Sequence, residues 1–320
     1  MTSTEGRAFD STGPTRPRRA LLAVNPKSRN GSRDLGAAAA VLGGFGIDLI
    51  RAQCEKGHDL SACILAHRDE VDCVIVGGGD GTINAAGRGL IESGLPLGVL
   101  PLGTANDFAR SLSIPSDIEA ASRVIAEGIC HQVDVGDVNG HVFFNVASVG
   151  LAADLAKSLT SERKRRFGRF SYAMSAARLL AKAAPFHATL LVGKGETREK
   201  VMVRTLQIAV GNGRYYGGGN VIAVDAQIDD GFLDLYSLEF SQIWRMALML
   251  RTFPSGAHGH MPEVRTARGD SFEVITRKPR PVNADGELVT QTPAVFTQKK
   301  LAVSVYVPVT CPLATAPSSR

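Results

Sequence analysis

Cys73-Val74-Ile75-Val76-Gly77-Gly78-Gly79-Asp80-Gly81-Thr82 is the stretch on which the fold of this 320-residue chain turns. Its apolar run has no alternating polar partner, so it reads as a strand covered on both faces. It leads straight into three glycines, an acid and a helical segment, Thr82–Ile91. Glycines let backbone N–H groups approach a phosphate without interference from Cβ, and a helix N-terminus adds donors and a positive dipole. An aspartate at that turn can hold Mg²⁺, mostly through water, while phosphate oxygens supply other ligands. A tight strand-to-helix turn alone would need only one or two glycines.

The same grammar extends on both sides. Ala20–Val24, Ile47–Gln53 and Leu97–Leu100 read as strands, and Arg33–Leu42, Asp59–His67 and Ala105–Leu112 as helices. Strands alternating with helices imply βαβ crossovers and a mostly parallel sheet. Beyond about Gly128 the pattern changes. Val133–Val138 and His141–Ala147 flank Asn139-Gly140, a type I′ hairpin signal. Further strands are predicted at 187–193, 199–210, 231–238, 271–276 and 301–307, interrupted by helical stretches at 151–183 and 241–252. The expected fold is therefore α/β: an N-terminal Rossmann-like parallel-sheet nucleotide domain (18–130) and a C-terminal β-rich, antiparallel sandwich-like domain (131–308). Polar tails, 1–17 and 309–320, flank them.

Composition narrows the class. Hydrophobic residues make up 44% and charged residues 21%, which excludes wholesale disorder. Glycine, 34 of 320 residues, stands at about 11% against a usual ~7%, with no collagen-like period. A net charge of +5 suits anionic partners without calling for nucleic acid. No apolar run reaches the ~18 residues of a membrane span, and Leu21–Val24 is too short for a signal-peptide core. The five cysteines, Cys54, Cys63, Cys73, Cys130 and Cys311, form no C-x-x-C pair and fit a reducing, cytoplasmic setting.

Two more loops face the same carboxyl edge, where parallel sheets bind ligands. Pro101-Leu102-Gly103-Thr104-Ala105-Asn106-Asp107 opens a helix. There Thr104 can donate to a phosphate oxygen, and Asn106 and Asp107 either cap the helix or line the site. Asn25-Pro26-Lys27-Ser28-Arg29-Asn30-Gly31 has the small, polar, cationic composition of a nucleotide rim. Other chemistries drop out. There is no G-x-x-x-x-G-K-[ST], no complete G-x-G-x-x-G, no G-x-S-x-G and no H-E-x-x-H. His67-Arg68-Asp69 lacks the remaining protein-kinase signatures and is a chance match.

In order along the chain stand Asn25-Pro26-x-Ser28, Gly78-Gly79-Asp80-Gly81-Thr82, Pro101 to Arg110, Asp229-Asp230-Gly231-x-Leu233-Asp234 and Asp285-Gly286-Glu287. That set resembles the diacylglycerol kinase catalytic family, in particular its soluble bacterial lipid-kinase branch, over residues 20–308. The resemblance implies transfer of the ATP γ-phosphoryl group to a lipid hydroxyl, of diacylglycerol or a phosphatidylglycerol-like acceptor, with Mg²⁺. It carries nucleotide contacts onto Asn25, Pro26, Lys27, Ser28, Arg29, Gly79, Asp80, Gly81, Thr82, Ile83, Asn84, Ala85 and Thr104, and Gly78 and Asn106 of the same two loops join them as candidates. A family threonine falls on Gln53, whose amide can still hydrogen-bond. It places the proton acceptor at Glu287 with Asp285 beside it. The nucleotide's metal is expected at Asp80 and Asp107, and a structural Mg²⁺ at Gln227, Asp230 and the Phe232 carbonyl. The rival readings are an NAD kinase-like phosphotransferase, which does not predict the Pro101–Arg110 block, and a non-catalytic lipid-binding module, in which Asp80 or Glu287 would be lost.

A lipid acceptor asks for a docking surface. Arg163-Lys164-Arg165-Arg166-Phe167-Gly168-Arg169-Phe170 carries five cations in eight residues, with two aromatic rings. Such a segment suits peripheral attachment to an anionic inner leaflet, although a solvated loop has the same composition. The helix around Trp244 reads as core-packed. The reading allows a homodimer and expects no nucleic-acid partner.

Overall fold

A computed structural model describes residues 16–24, 31–52, 60–154, 184–193, 198–216, 220–221, 226–240 and 263–315. The quoted stretch forms β3 (Cys73–Gly78), buried along its whole length. It lies between β1 (Arg19–Val24) and β4 (Leu97–Pro101), with β2 (Asp48–Arg51) beyond β1, and all of these pairings are parallel. The helices α1 (Gly31–Gly44), α2 (Leu60–Ala66), α3 (Asp80–Ser93) and α5 (Ile118–Glu127) supply the crossovers, α1 packing on α5 and α2 on α3. Val74, Ile75 and Val76 are fully enclosed, and each contributes about 1.5–3 kcal/mol by leaving water. The short α4 (Asp107–Ser111) follows β4. α5 is absent from the sequence expectation, although Asp117 accepts the Ala120 amide at 2.8 Å as its N-cap.

After α5 the chain enters β5 (Ile129–Val138), turns through Asn139 and Gly140, both at positive φ, and returns as β6 (His141–Phe143). The predicted return strand 141–147 is broken. β6 ends at Phe143, and β7 (Val146–Gly150) starts a different sheet. That second sheet has six strands in the order β14-β13-β10-β7-β16-β17. They are β14 (Val264–Gly269), β13 (Leu233–Leu238), β10 (Gln207–Gly211), β7, β16 (Pro281–Ala284) and β17 (Glu287–Gln291), all antiparallel. The predicted 199–210 strand likewise splits, into β9 (Glu199–Thr205) and β10, one in each sheet. A two-residue pair, β11 (Tyr215–Tyr216) and β12 (Asn220–Val221), stands apart.

The first sheet does not stop at β4. It continues through β18 (Ala294–Val307), β15 (Ser271–Thr276), β8 (Phe186–Val192) and β9, giving ten strands once β5 and β6 are included. β18 is the joint between the halves. Ala294 and Phe296 sit in the core of the β-rich part, whereas Val303, Val305 and Val307 sit in the core of the α/β part. Its register against β5 slips between Lys299 and Val303, and Leu301 in that slip has φ 49°. The buried Asp134 of β5 closes the irregularity by accepting the Leu301 amide at 2.7 Å. A buried carboxylate at this position satisfies backbone that the sheet ladder leaves unpaired.

Candidate active site

The glycine edge is built by backbone contact between two loops. A Cβ on Gly103 would stand 2.4 Å from the Gly79 Cα, so the loop after β3 and the loop after β4 can touch only because both are glycine there. Asn106 holds the second loop in shape. Its Oδ1 accepts the Gly103 amide at 3.0 Å, and its Nδ2 donates to the carbonyls of Pro101 and Gly103. Asn106 therefore does not cap α4 with its side chain. Gly81 and Thr104 stay exposed on the rim. Ile83 points into the core, and the Ala85 carbonyl accepts the Ser61 hydroxyl, so neither offers a nucleotide a free side-chain group.

The cap of α4 comes from a different helix. Asp80, at the start of α3, accepts the Phe108 amide at 3.0 Å and the Asp107 amide at 3.3 Å. A third donor, Asn145 Nδ2, lies 3.1 Å from the same carboxylate. Among the described residues Asp80 forms no ion pair, and the partners its carboxylate meets there are amide dipoles. Asp107, expected to share a metal with it, is only 3% exposed.

Asp285-Gly286 forms the two-residue turn between β16 and β17, with φ of 46° and 97°, as a type I′ hairpin requires. The turn backbone is at the surface, but the Asp285 carboxylate points inward. It accepts the amides of Phe144 at 2.6 Å, Asn145 at 3.1 Å and Val146 at 3.0 Å, and Asn84 Nδ2 at 3.0 Å. These are the amides exposed where the return strand breaks between β6 and β7. Burial holds the Asp285 carboxyl above its ordinary value, and the four hydrogen bonds offset only part of that rise. Having no oxygen left over, Asp285 works as an anchor, whereas Glu287 on the same turn is exposed.

Asp80, Asn145, Asp285 and Asn84 thus form one connected polar set spanning both halves of the molecule. Asn84 also donates to the Val142 carbonyl, so it is a structural tie and not an open contact. Asn145 and Asp134 were not among the expected site residues. The only signal for Asn145 is a polar residue inside the apolar run Phe143-Phe144-Asn145-Val146. Beside α4 opens a cleft of about 320 Å³ lined by Arg110, Ser111, Arg214, Tyr215 and Gln227.

Gln227 and Phe232 lie on the turn before β13, with Asp230 between them. Asp230 accepts the amides of Gln227 at 3.0 Å and Phe232 at 2.9 Å, and it pairs with Arg268. Asn25, Pro26, Lys27, Ser28, Arg29 and Gln53 lie outside the described residues, as do the basic run 163–170 and the stretch around Trp244.

A phosphate-type glycine edge on a parallel sheet, tied through buried amides to an acidic turn of an antiparallel sheet, fits a phosphotransferase. The comparisons agree. Residues 19–138 match the diacylglycerol kinase catalytic domain, and residues 145–307 match the YegS C-terminal NAD kinase beta sandwich-like domain. The YegS-like lipid kinase of Pseudomonas aeruginosa is 31% identical over 93% of this chain and 97% of its own length. The diacylglycerol kinase of Staphylococcus carnosus is 29% identical over 76% of this chain and 79% of its own. A solved Bacillus anthracis structure assigned to the diacylglycerol kinases superposes with a TM-score of 0.77 at 25% identity, covering 94% of this chain and 98% of that one. The chain belongs to this family of lipid kinases, phosphotransferases with an alcohol acceptor.

Proposed function

We propose that the chain transfers the γ-phosphoryl group of ATP, with Mg²⁺, to the hydroxyl of a diacylglycerol- or phosphatidylglycerol-like lipid. The observation that carries this reading is the connected set Asp80–Asn145–Asp285–Asn84. It holds the glycine edge and the turn bearing Glu287 in one fixed relation. Phosphoryl transfer is catalysed mainly by positioning and charge neutralisation, so such rigidity is what the reaction needs.

The Gly81 amide and the exposed Thr104 hydroxyl bind the phosphates, and Arg110 and Arg214 give the neighbouring cleft a positive wall. The donor set at Asp80 suits Mg²⁺, which keeps its waters and is bound by one or two carboxylates together with substrate phosphates. Bound there, the ion would neutralise charge on the transferred group. Glu287 accepts the proton of the lipid hydroxyl as its oxygen bonds to the γ-phosphorus and the bond to the bridging oxygen of ADP breaks. Asp285 positions Glu287 and takes no proton itself. The lipid is met at the cytoplasmic face of the membrane, where the basic run Arg163–Arg169 docks the enzyme peripherally.

The test offers the full-length protein labelled ATP and a panel of lipids in mixed micelles, with NAD as a separate acceptor, read by mass spectrometry. Phosphorylated lipid and unmodified NAD are expected. Phosphorylation of NAD alone, or of nothing, overturns the reading.

A further inference from the structure

Family resemblance implies a structural Mg²⁺ held by Gln227, Asp230 and the Phe232 carbonyl, and the residues of this chain do not fit it. One Asp230 oxygen accepts the Phe232 amide, and the other accepts both the Gln227 amide and the Arg268 guanidinium. The Phe232 carbonyl accepts Gln298 Nε2 at 3.0 Å. The Arg268 guanidinium lies 5.1 Å from the centre of the Phe232 ring, and the Lys300 ammonium 6.0 Å from it. Lys300 also packs on Gly231, its Nζ 2.9 Å from where a Cβ would be. Mg²⁺ demands a near-ideal octahedron of oxygens. Here it would meet one carboxylate that is already paired, with two cations flanking it.

The other two acids of this corner, Asp134 and Asp229, also have partners, Asp229 through one oxygen. Asp134 accepts the amides of Gly231 and Leu301 and the Gln298 amide group, and Asp229 takes His131 Nε2 at 2.9 Å. Among the described residues two buried oxygens of this corner, Asp229 Oδ1 and Gln298 Oε1, meet no donor. Neither belongs to the expected ligand set, and a bridging water would satisfy them. Arg268 is put in place by strand pairing, opposite Asp234 in the β13–β14 ladder.

We propose that Arg268, seconded by Lys300, supplies at Asp230 the positive charge expected of the metal, so this corner of the sandwich is closed by the chain's own cations and folds without a divalent ion.

The experiment is thermal unfolding of the nucleotide-free, full-length protein in EDTA and in Mg²⁺, with Mn²⁺ binding followed by electron paramagnetic resonance. The proteins are wild type, Asp230→Asn, Arg268→Gln and Arg268→Lys. Wild type is expected to melt at the same temperature in both buffers and to show no Mn²⁺ signal that Asp230→Asn removes. Arg268→Gln is expected to melt lower in EDTA by roughly 2–4 °C, and Arg268→Lys, which keeps the charge, to recover most of that loss. If Arg268→Gln does not fold, wild type and Arg268→Lys carry the test. Mg²⁺ stabilisation of the wild type that disappears in Asp230→Asn overturns the proposal. So does an Arg268→Gln protein as stable as wild type in EDTA. Because the readout is melting and metal binding without nucleotide, the result does not depend on which acceptor the kinase uses.

Discussion

Asp80 and Asp230 look alike on paper. Each is an acid next to glycine in a turn, and each was expected to hold a metal. In space they differ. Asp80 meets two backbone amides of α4 and the side-chain amide of Asn145. These dipoles orient the carboxylate without cancelling its charge, which is what the proposed metal role of Asp80 requires. Asp230 meets a guanidinium, and its charge is already neutralised. An acid beside glycine therefore marks a well-placed carboxylate. Whether that carboxylate can take part in metal chemistry depends on whether its partners are dipoles or ions.

The sharpest way to break this comparison is at Asp80. Asp80→Asn keeps one acceptor for the α4 amides and removes the charge, and a loss of at least about 10³-fold in kcat is expected from removing an electrostatic contact at the transferred group. Asp80→Ala should lose activity to the same extent and, having also lost the trans cap, should be about 1 kcal/mol less stable. Steady-state kinetics beside a denaturant titration measures both. Near-normal turnover in Asp80→Asn would reduce Asp80 to a cap and erase its contrast with Asp230.

Glu287 and Asp285 repeat the contrast within one turn. Glu287→Gln should lower kcat by about 10²–10⁴-fold with little change in the KM for ATP, the usual cost of losing a general base. Its exposure predicts an unchanged melting temperature, and a collapse in ATP affinity instead would move Glu287 into the metal site. Asp285→Asn should act the other way round, on folding first. Its new NH₂ would face amide donors, leaving buried groups unpaired at about 1–3 kcal/mol. Urea unfolding reads that loss, and a fully stable Asp285→Asn would mean the anchor role is wrong.

The last expected effect, which shrinks as salt rises, concerns docking at a membrane surface. Replacing Arg163, Lys164, Arg165 and Arg166 with Gln should weaken binding to anionic vesicles. At about 1 kcal/mol per cation, the loss is at most ~4 kcal/mol at low salt and less at physiological ionic strength. Vesicle sedimentation at two salt concentrations reads it. Binding indifferent to both salt and substitution would remove this run from the docking surface.

Much of the architecture was legible from adjacent residues. β3 and its glycine turn, the Asn139-Gly140 hairpin and the Asp285-Gly286 turn are encoded locally, by continuous apolar runs and by residues that tolerate positive φ. Other features were not. The runs 141–147 and 199–210 read as single strands because no glycine or proline interrupts either, yet each is divided between two sheets. α5 was overlooked although Ser116-Asp117 announces its start. β18 read as a strand over 301–307, but nothing local reveals that it begins in one core and ends in the other.

The parallel α/β character of the first half, the antiparallel β character of the second and the family could be read from the chain alone, because glycine conformational freedom and apolar patterning belong to contiguous residues. What each aspartate does could not. The amide that engages Asp80 lies 28 residues away, the one that engages Asp285 lies 141 away, and the guanidinium on Asp230 lies 38 away. A carboxylate's chemistry is set by the donors and charges within a few ångströms of it, and only the folded chain brings those together.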